Sequence, residues 1–356
     1  MKQIFILGRN PKLSREEIVS YIMARENYKE VFFDENFLLV EVLNEVNIQE
    51  LGGTIKSGKI IFEGKNDEFR KFLDTNEIIP SDKFSYSILG NGEYEILQEK
   101  FKSEKKKAVL KHGRKKIRFQ DGDDFGLARA DYTLFLHDIK GIVYFGEINK
   151  EYSYLEIKKR DMGKPVRREE FAISPRLAKI LINLSGVRAG QHLVDPFCGI
   201  GGIVIESLIK GINVTGIDND RAAIENAKKN IEWLKQNFEI KSRYTLINSN
   251  SNSAPDMQFD GVATETPLGE LFKKKPSDKE AKEIMVKFED RIIPILRRLS
   301  RIKKHGAKIA ITFPVIRNFK PDEKMIANES GLRIISGPIL ESRPEQFISR
   351  EILVME

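Results

Sequence analysis

The apolar positions along this chain change period near its middle. Up to residue 157 they come in short runs that predict a mixed α+β region. Gln3 to Leu7 reads as a strand. Ser14 with Glu17 makes a capping-box pattern ahead of a helix that carries Ile18, Tyr21, Ile22 and Met23. Val31 to Leu43 is strand-rich. Lys83 to Leu89 sets Phe84, Tyr86 and Ile88 against Lys83, Ser85 and Ser87, the alternation of a half-buried strand. Glu93 to Lys111 has helical spacing, with Tyr94, Leu97 and Phe101 on one face. Lys116 to Phe119 and Tyr132 to Ile148 return to strand, with a turn expected between His137 and Gly141.

From residue 173 onward helix and strand periods alternate. Ser174 caps a helix that opens on Pro175 and buries Leu177, Ile180, Leu181 and Leu184. Strands are expected at Gln191–Phe197, Asn213–Asp218, Tyr244–Asn248, Gly261–Glu265, Lys308–Phe313, Leu332–Ser336 and Phe347–Met355. Helices fall between them at Ile203–Lys210, Ala222–Gln236, Lys279–Lys304 and Lys324–Ser330, and Pro294 predicts a kink or break in the third of these. Such alternation implies a mostly parallel, doubly wound α/β sheet, Rossmann-like in class, preceded by the α+β region. The expected domains are 1–157 and 173–356, joined by a linker, 158–172, that is basic and carries Gly163 and Pro165.

The run Leu193-Val194-Asp195-Pro196-Phe197-Cys198-Gly199-Ile200-Gly201-Gly202 ends a strand in an acid and turns through glycines into an apolar helix. The next strand also ends in an acid, Asp218, followed by Asn219. A tight turn in an ordinary α/β domain would look similar, but three details favour a ligand site. Asp195 stands where a pyrophosphate would be repelled. Gly199 and Gly201 allow close backbone approach and positive φ. Asp218 follows after about 20 residues, where a carboxylate can accept hydrogen bonds from ribose hydroxyls. An acid beside the turn suits an adenosine cofactor that carries positive charge and no phosphate, as S-adenosylmethionine does. Asn250, just past the third strand, could meet the adenine edge, although Asn248-Ser249-Asn250 is equally readable as a polar turn.

The fourth strand ends in Glu265-Thr266-Pro267-Leu268-Gly269, where an enzyme of this architecture places its acceptor. An acid followed by a proline-type carbonyl can both accept from an exocyclic amine and aim its lone pair at a methyl donor, a task of positioning and electrostatics. Enzymes that methylate base amines usually carry Asp/Asn-Pro-Pro-aromatic here. In this chain Glu265 stands for the acid, Thr266 for the first proline and Leu268 for the aromatic, and Phe313 and Phe272 are the candidates for a stacking surface.

Charge adds a second theme. The chain has 356 residues, 40% hydrophobic and 32% charged, with a net charge of +7. Its basic residues crowd between Lys100 and Gln120, where Lys102, Lys105, Lys106, Lys107, Lys111, Arg114, Lys115, Lys116 and Arg118 face a single acid, Glu104. The cluster suits RNA phosphates, or else a solvated helix face and a lysine-protected edge strand. One cysteine and four scattered histidines give no recognisable metal site. No apolar run approaches a membrane span of ~20 residues, and no signal peptide is evident at the N-terminus, so a cytoplasmic setting is expected.

Taken together these motifs resemble the THUMP-type tRNA guanosine-N2-methyltransferases, the group that modifies guanosine-10 of tRNA. The resemblance rests on Ile6-Leu7-Gly8-Arg9-Asn10-Pro11 with Leu13-Ser14, on Leu51-Gly52-Gly53-Thr54-Ile55-Lys56, on Arg160-Asp161 with Pro165, on Ser174-Pro175-Arg176-Leu177-Ala178 with Asn183-Leu184, and above all on Asp195 to Gly202. It implies an S-adenosylmethionine-dependent transferase with the cofactor at Asp195, Pro196, Phe197, Gly199, Gly201, Asp218, Asn219 and Asn250. It also implies an acceptor site at Glu265, Thr266, Pro267 and Leu268, an N-terminal region that binds tRNA, and no metal. The small activating subunit needed by some relatives is left open. So are two other readings: a DNA-base amino-methyltransferase, and a non-catalytic RNA-binding module that keeps the pocket as a relic.

Overall fold

The computed structural model describes all residues except 113–117, 121–122, 126–128, 168–172, 268–275 and 343–346, and describes the backbone alone at 118–120 and 123–125. The chain divides into two compact units. The first comprises Met1–Arg15, Glu26–Gln49 and Gly53–Tyr154, and the second Glu16–Arg25, Glu50–Gly52 and Leu155–Glu356.

The elements of the N-terminal region are β1 (Lys2–Leu7), α1 (Pro11–Met23), β2 (Lys29–Phe33), β3 (Phe37–Glu41), β4 (Thr54–Gly64), α2 (Asn66–Thr75), β5 (Lys83–Leu89), α3 (Glu95–Ser103), β6 (Lys107–Leu110), β7 (Arg118–Gln120), β8 (Asp123–Phe125), β9 (Tyr132–Ile139) and β10 (Ile142–Glu151). An eight-stranded sheet of order β2-β3-β1-β4-β10-β9-β5-β6 organises the first unit, and β7 pairs with β8 alone. Alternation on β9 and β10 fills both faces. Leu134, Leu136, Val143 and Phe145 join Phe69, Leu73, Leu97 and Phe101 of α2 and α3, whereas Phe135, Tyr144 and Ile148 pack with Ile4, Ile6, Phe37 and Leu39.

Two local expectations change here. Helix α1 begins earlier than the Ser14–Glu17 pattern suggests. Asn10 accepts the Leu13 N–H at 3.2 Å, while the Ser14 hydroxyl donates to the carbonyls of Asn10 and Gly53 at 2.9 and 2.8 Å. Glu17 instead accepts from the Gly52 N–H at 2.6 Å and from Asn183 at 2.7 Å, all three residues lying in the second unit. The helix expected through Lys111 ends at Ser103, because Lys105 turns into the left-handed region (φ 58°) and Lys107–Leu110 pairs as a strand beside β5.

The remaining elements are α4 (Tyr154–Gly163), α5 (Pro175–Leu184), β11 (His192–Asp195), α6 (Gly202–Ile209), β12 (Asn213–Asp218), α7 (Arg221–Asn237), β13 (Tyr244–Asn248), β14 (Gly261–Thr264), α8 (Asp278–Ile302), β15 (Lys308–Ile316), α9 (Glu323–Glu329), β16 (Ile334–Glu341) and β17 (Ile348–Met355). Their sheet has the order β13-β12-β11-β14-β15-β17-β16. The first five strands are parallel and β17 runs antiparallel to both its neighbours. The chain therefore reverses its winding between β11 and β14, and the crevice at their carboxyl ends is the position where such sheets bind ligands. Ser174 caps α5 as expected, accepting the Leu177 N–H.

Helix α8 runs through Pro294 without interruption. Its buried stripe (Met285, Phe288, Ile292, Ile295, Leu296, Leu299) is held in the core, and Pro294 and Asp290 lie on the exposed face, where water can meet the carbonyl that proline leaves without an amide. The segment read as a linker is helical as far as Gly163. There Arg160, 8% exposed, meets Glu206 of α6, 1% exposed, through two contacts of 3.4 Å. Burial pulls nearby Lys179 below the usual lysine range, partly offset by Glu206.

Removing Arg160 leaves the Glu206 carboxylate buried beside Lys179. Arg160→Ala should cost the second unit about 3 kcal/mol in urea unfolding, and Arg160→Met combined with Glu206→Leu much less. A single-variant loss under about 1 kcal/mol would contradict this account.

Candidate active site

The crevice is built around Asp195. The residue closes β11 and is 1% exposed. Its Oδ1 accepts the Thr264 hydroxyl at 2.7 Å, across from the end of β14, and the Phe197 N–H at 3.2 Å. Burial raises its pKa to about 7, against the lowering effect of those two donors, and the neighbouring acids Asp218 and Glu265 raise it further. Pro196 and Cys198 are buried and Phe197 is half-buried. The Pro196 carbonyl accepts a short hydrogen bond from the Ser251 hydroxyl. Burial pushes the Cys198 thiol far up, so it stays protonated and inert.

The turn then passes through Gly199 (φ 50°) and Gly201 (φ 90°), both in the conformation that side chains disfavour. A Cβ on Gly199 would meet no heavy atom within 4 Å among the described residues, so the backbone there faces open space. A Cβ on Gly201 would meet Ala227 of α7 at 3.4 Å. The two glycines therefore differ: one exposes backbone to a ligand, and the other lets a helix approach. Asp218 ends β12 and accepts the Gly199 N–H at 2.9 Å and the Asp220 N–H at 2.9 Å, which ties the turn to the second strand. A carboxylate offers about four lone-pair sites, so two amide donors leave capacity for ribose hydroxyls. Asn219 is exposed, and Asn250 is exposed with its side-chain oxygen accepting the Asn252 N–H at 3.2 Å.

Glu265 and Thr266 follow β14. The Thr266 N–H donates to the Thr312 hydroxyl at 3.1 Å, and its own hydroxyl donates to the Thr312 carbonyl at 2.7 Å. Thr266 is 1% exposed, so its side chain is a structural anchor and not an acceptor contact. The same two bonds fix the backbone that a proline would otherwise stiffen. The Glu265 carboxylate makes a short ion pair with Arg350 of β17. Pro267 is exposed, and Leu268 and Phe272 lie outside the described residues. Phe313 cannot offer a stacking face: it is 0% exposed and packs edge-on to Phe288.

Three members of this constellation escaped the sequence reading. Thr264 and Ser251 carry no signal apart from their strand-end positions. Arg350 could have been noticed as a guanidinium near the start of a final strand that is otherwise mostly apolar.

The basic cluster separates into two kinds of residue. Lys102, Lys105, Lys107 and Lys111 are exposed around β6, the outer strand of the described sheet. Lys106 is not available to phosphates: its side chain is 5% exposed and pairs with Glu77 at 2.8 Å and Glu104 at 3.5 Å. Arg114, Lys115 and Lys116, and the side chain of Arg118, lie outside the described residues. Among the described residues no group of histidine, cysteine and acidic side chains is placed to hold a metal, and no helix is long and apolar enough to cross a membrane.

Strand order, the glycine turn and acids at the ends of β11 and β12 define a class I methyltransferase fold. The residues fit S-adenosylmethionine. Asp195 and Asp218 at neighbouring strand ends suit its positively charged and hydroxyl-bearing groups, and the open space over Gly199 admits a ligand. Residues 164–302 match the family model UPF0020, described as an RMKL-like methyltransferase domain. This is an S-adenosylmethionine-dependent methyltransferase domain. The chain is 34% identical over 112 residues to a tRNA (guanine(10)-N2)-dimethyltransferase of Methanothermobacter thermautotrophicus, covering 31% of this chain and 32% of the relative. It is 30% identical over 123 residues to the enzyme of the same name from Pyrococcus abyssi, covering 34% of each. The matched part thus spans about a third of the length of these relatives. The crystal structure of TrmN from Thermus thermophilus shares the fold, with a TM-score of 0.53 at 12% identity over 100% of this chain and 99% of that one.

The buried Asp195 carboxyl predicts an unusual pH dependence. Between about pH 4, the range of an unfolded aspartate, and about 7, its folded value, the native state holds a proton that the unfolded chain has lost. Stability of the ligand-free protein should fall over that window as pH rises, then level off. Asp195→Asn lacks this loss, so its advantage over the parent should widen from pH 4 to 7 by up to about 4 kcal/mol in urea titrations. A gap that stays constant with pH would contradict it.

Proposed function

We propose that this chain transfers a methyl group to the exocyclic N2 amine of a guanosine in tRNA. Support comes from the relatives matched over the methyltransferase domain and from the acid-plus-carbonyl arrangement after β14. The observation that carries the reading is Glu265 ion-paired at the crevice rim, with the backbone of Thr266 pinned to β15.

Bound S-adenosylmethionine supplies an electrophilic methyl group on a sulfonium. Asp195 and Asp218 line the strand ends where its charged and hydroxyl-bearing groups would lie. Glu265, paired and ionised, accepts an N–H of the incoming amine, and the Thr266 carbonyl accepts the other. Those two acceptors turn the nitrogen lone pair out of conjugation with the base and aim it, and the Glu265 carboxylate takes up the proton that the methylated nitrogen sheds and passes it to water, so the rate comes from positioning and electrostatics rather than from a strong base. A threonine serves in place of the first proline because the task needs only a fixed backbone oxygen. Lys102, Lys105, Lys107 and Lys111 contact phosphates and set the substrate's position without reading its sequence. The N-terminal region is thereby the tRNA-binding, THUMP-like part, and the protein works in the cytoplasm.

Nucleoside mass spectrometry of unmodified tRNA transcripts incubated with the protein and S-adenosylmethionine should show N2-methylated guanosine, with Glu265→Gln slowing transfer roughly 100-fold. Transfer to duplex DNA adenine or cytosine, or no transfer at all, would overturn the reading. Binding should also weaken steeply with salt. Each exposed lysine replaced by glutamine should lower the log–log slope by about 1, whereas Lys106→Gln should leave it unchanged.

A further inference from the structure

The acid after β14 and the guanidinium on β17 are separated in the sheet by β15. Adjacent strands lie about 4.8 Å apart, so β14 and β17 are roughly 10 Å apart. Arg350 pairs in register with Pro314 of β15 on one side and Glu341 of β16 on the other, at the same carboxyl-end rim as Asp195 and Glu265. Its side chain spans β15 to reach the Glu265 carboxylate. Both side chains are nearly enclosed, at 9% and 15% exposure. The long guanidinium side chain of Arg350 and the glutamate side chain meet across this gap. An aspartate at position 265 is one methylene shorter and would draw the carboxylate back toward β14.

We propose that Arg350 is a positioning residue that holds the Glu265 carboxylate at the end of β14, and that this site is built for a glutamate where the related motif carries aspartate or asparagine. The inference rests on the reading of Glu265 as the acid that accepts from the substrate amine. A free glutamate would sample several rotamers at the rim, and an error of about 1 Å in an acceptor costs roughly 100-fold in rate. The guanidinium is a planar donor whose charge-assisted hydrogen bond selects one of those rotamers. The extra methylene of Glu265 and the buried Arg350 are two halves of one device: the longer acid reaches sideways to its anchor and is thereby held as firmly as a shorter one.

The test is methyl transfer from radiolabelled S-adenosylmethionine to unmodified tRNA transcripts, with kcat and KM measured for Arg350→Met, Arg350→Lys, Glu265→Asp, Glu265→Gln and the double variant Arg350→Met/Glu265→Asp. Thermal unfolding of each variant shows whether it is folded. Arg350→Met and Glu265→Asp should each lower kcat roughly 10- to 100-fold, with KM for tRNA within about twofold of the parent. The double variant should be no slower than the worse single one, because both remove the same interaction. Arg350→Lys should fall between, since it restores charge without the planar fork. If Arg350→Met is unfolded, Arg350→Lys and Glu265→Asp carry the test.

Parental kcat in Arg350→Met, single-variant losses that multiply in the double variant, or a Glu265→Asp enzyme at least as fast as the parent would each overturn the inference. Failure of the underlying reading looks different: Glu265→Gln would then retain full kcat, or the parent would transfer nothing to tRNA, and the inference would fall with it.

Discussion

A carboxyl group enclosed where two parallel strands part is the constraint on which the rest of this site depends. Asp195 is 1% exposed, bound by Thr264 from the neighbouring strand and surrounded by further acids. Left alone it holds its proton to neutral pH, which is a cost to the folded protein. A ligand that brings positive charge and hydrogen-bond donors turns that cost into affinity. The glycine turn, the tie from Asp218 to Gly199 and the open space above that glycine make sense around such a ligand, and a phosphate-bearing nucleotide would meet repulsion at the same place.

The proposed acceptor side follows from the same sheet end. Thr264 binds Asp195 on one side, and two residues later Thr266 is bolted to Thr312 of β15. The few residues after β14 thus serve both halves of the crevice, so the position of Glu265 is set by the strand that orients Asp195. Arg350 approaches from the far side of β15. Four strands converge on one rim, which explains how a departure from the usual proline and aspartate is accommodated without loosening the backbone.

Much of the second unit was legible in the sequence because its signals are local. The strand ending in Asp195, the strand Asn213–Asp218 and the capped helix after Ser174 are each set by adjacent residues, and the structure places them within a residue or two of expectation. What escaped notice depends on partners far along the chain. Pro294 is tolerated because α8 turns it toward solvent, and Lys106 is drawn out of the basic cluster by Glu77, 29 residues away. Glu17 looked like a local cap, but its partners are Gly52 and Asn183. Arg350 lies 85 residues from Glu265, and no spacing rule links an acid at a strand end to a cation two strands away.

Isothermal titration of the purified protein with S-adenosylmethionine, and separately with S-adenosylhomocysteine, tests the central claim most directly. The account predicts saturable binding at one site per chain for both ligands, abolished when Gly199→Val fills the open space above the turn. Absence of binding heat for either ligand up to millimolar concentration, or binding that Gly199→Val leaves intact, would contradict it.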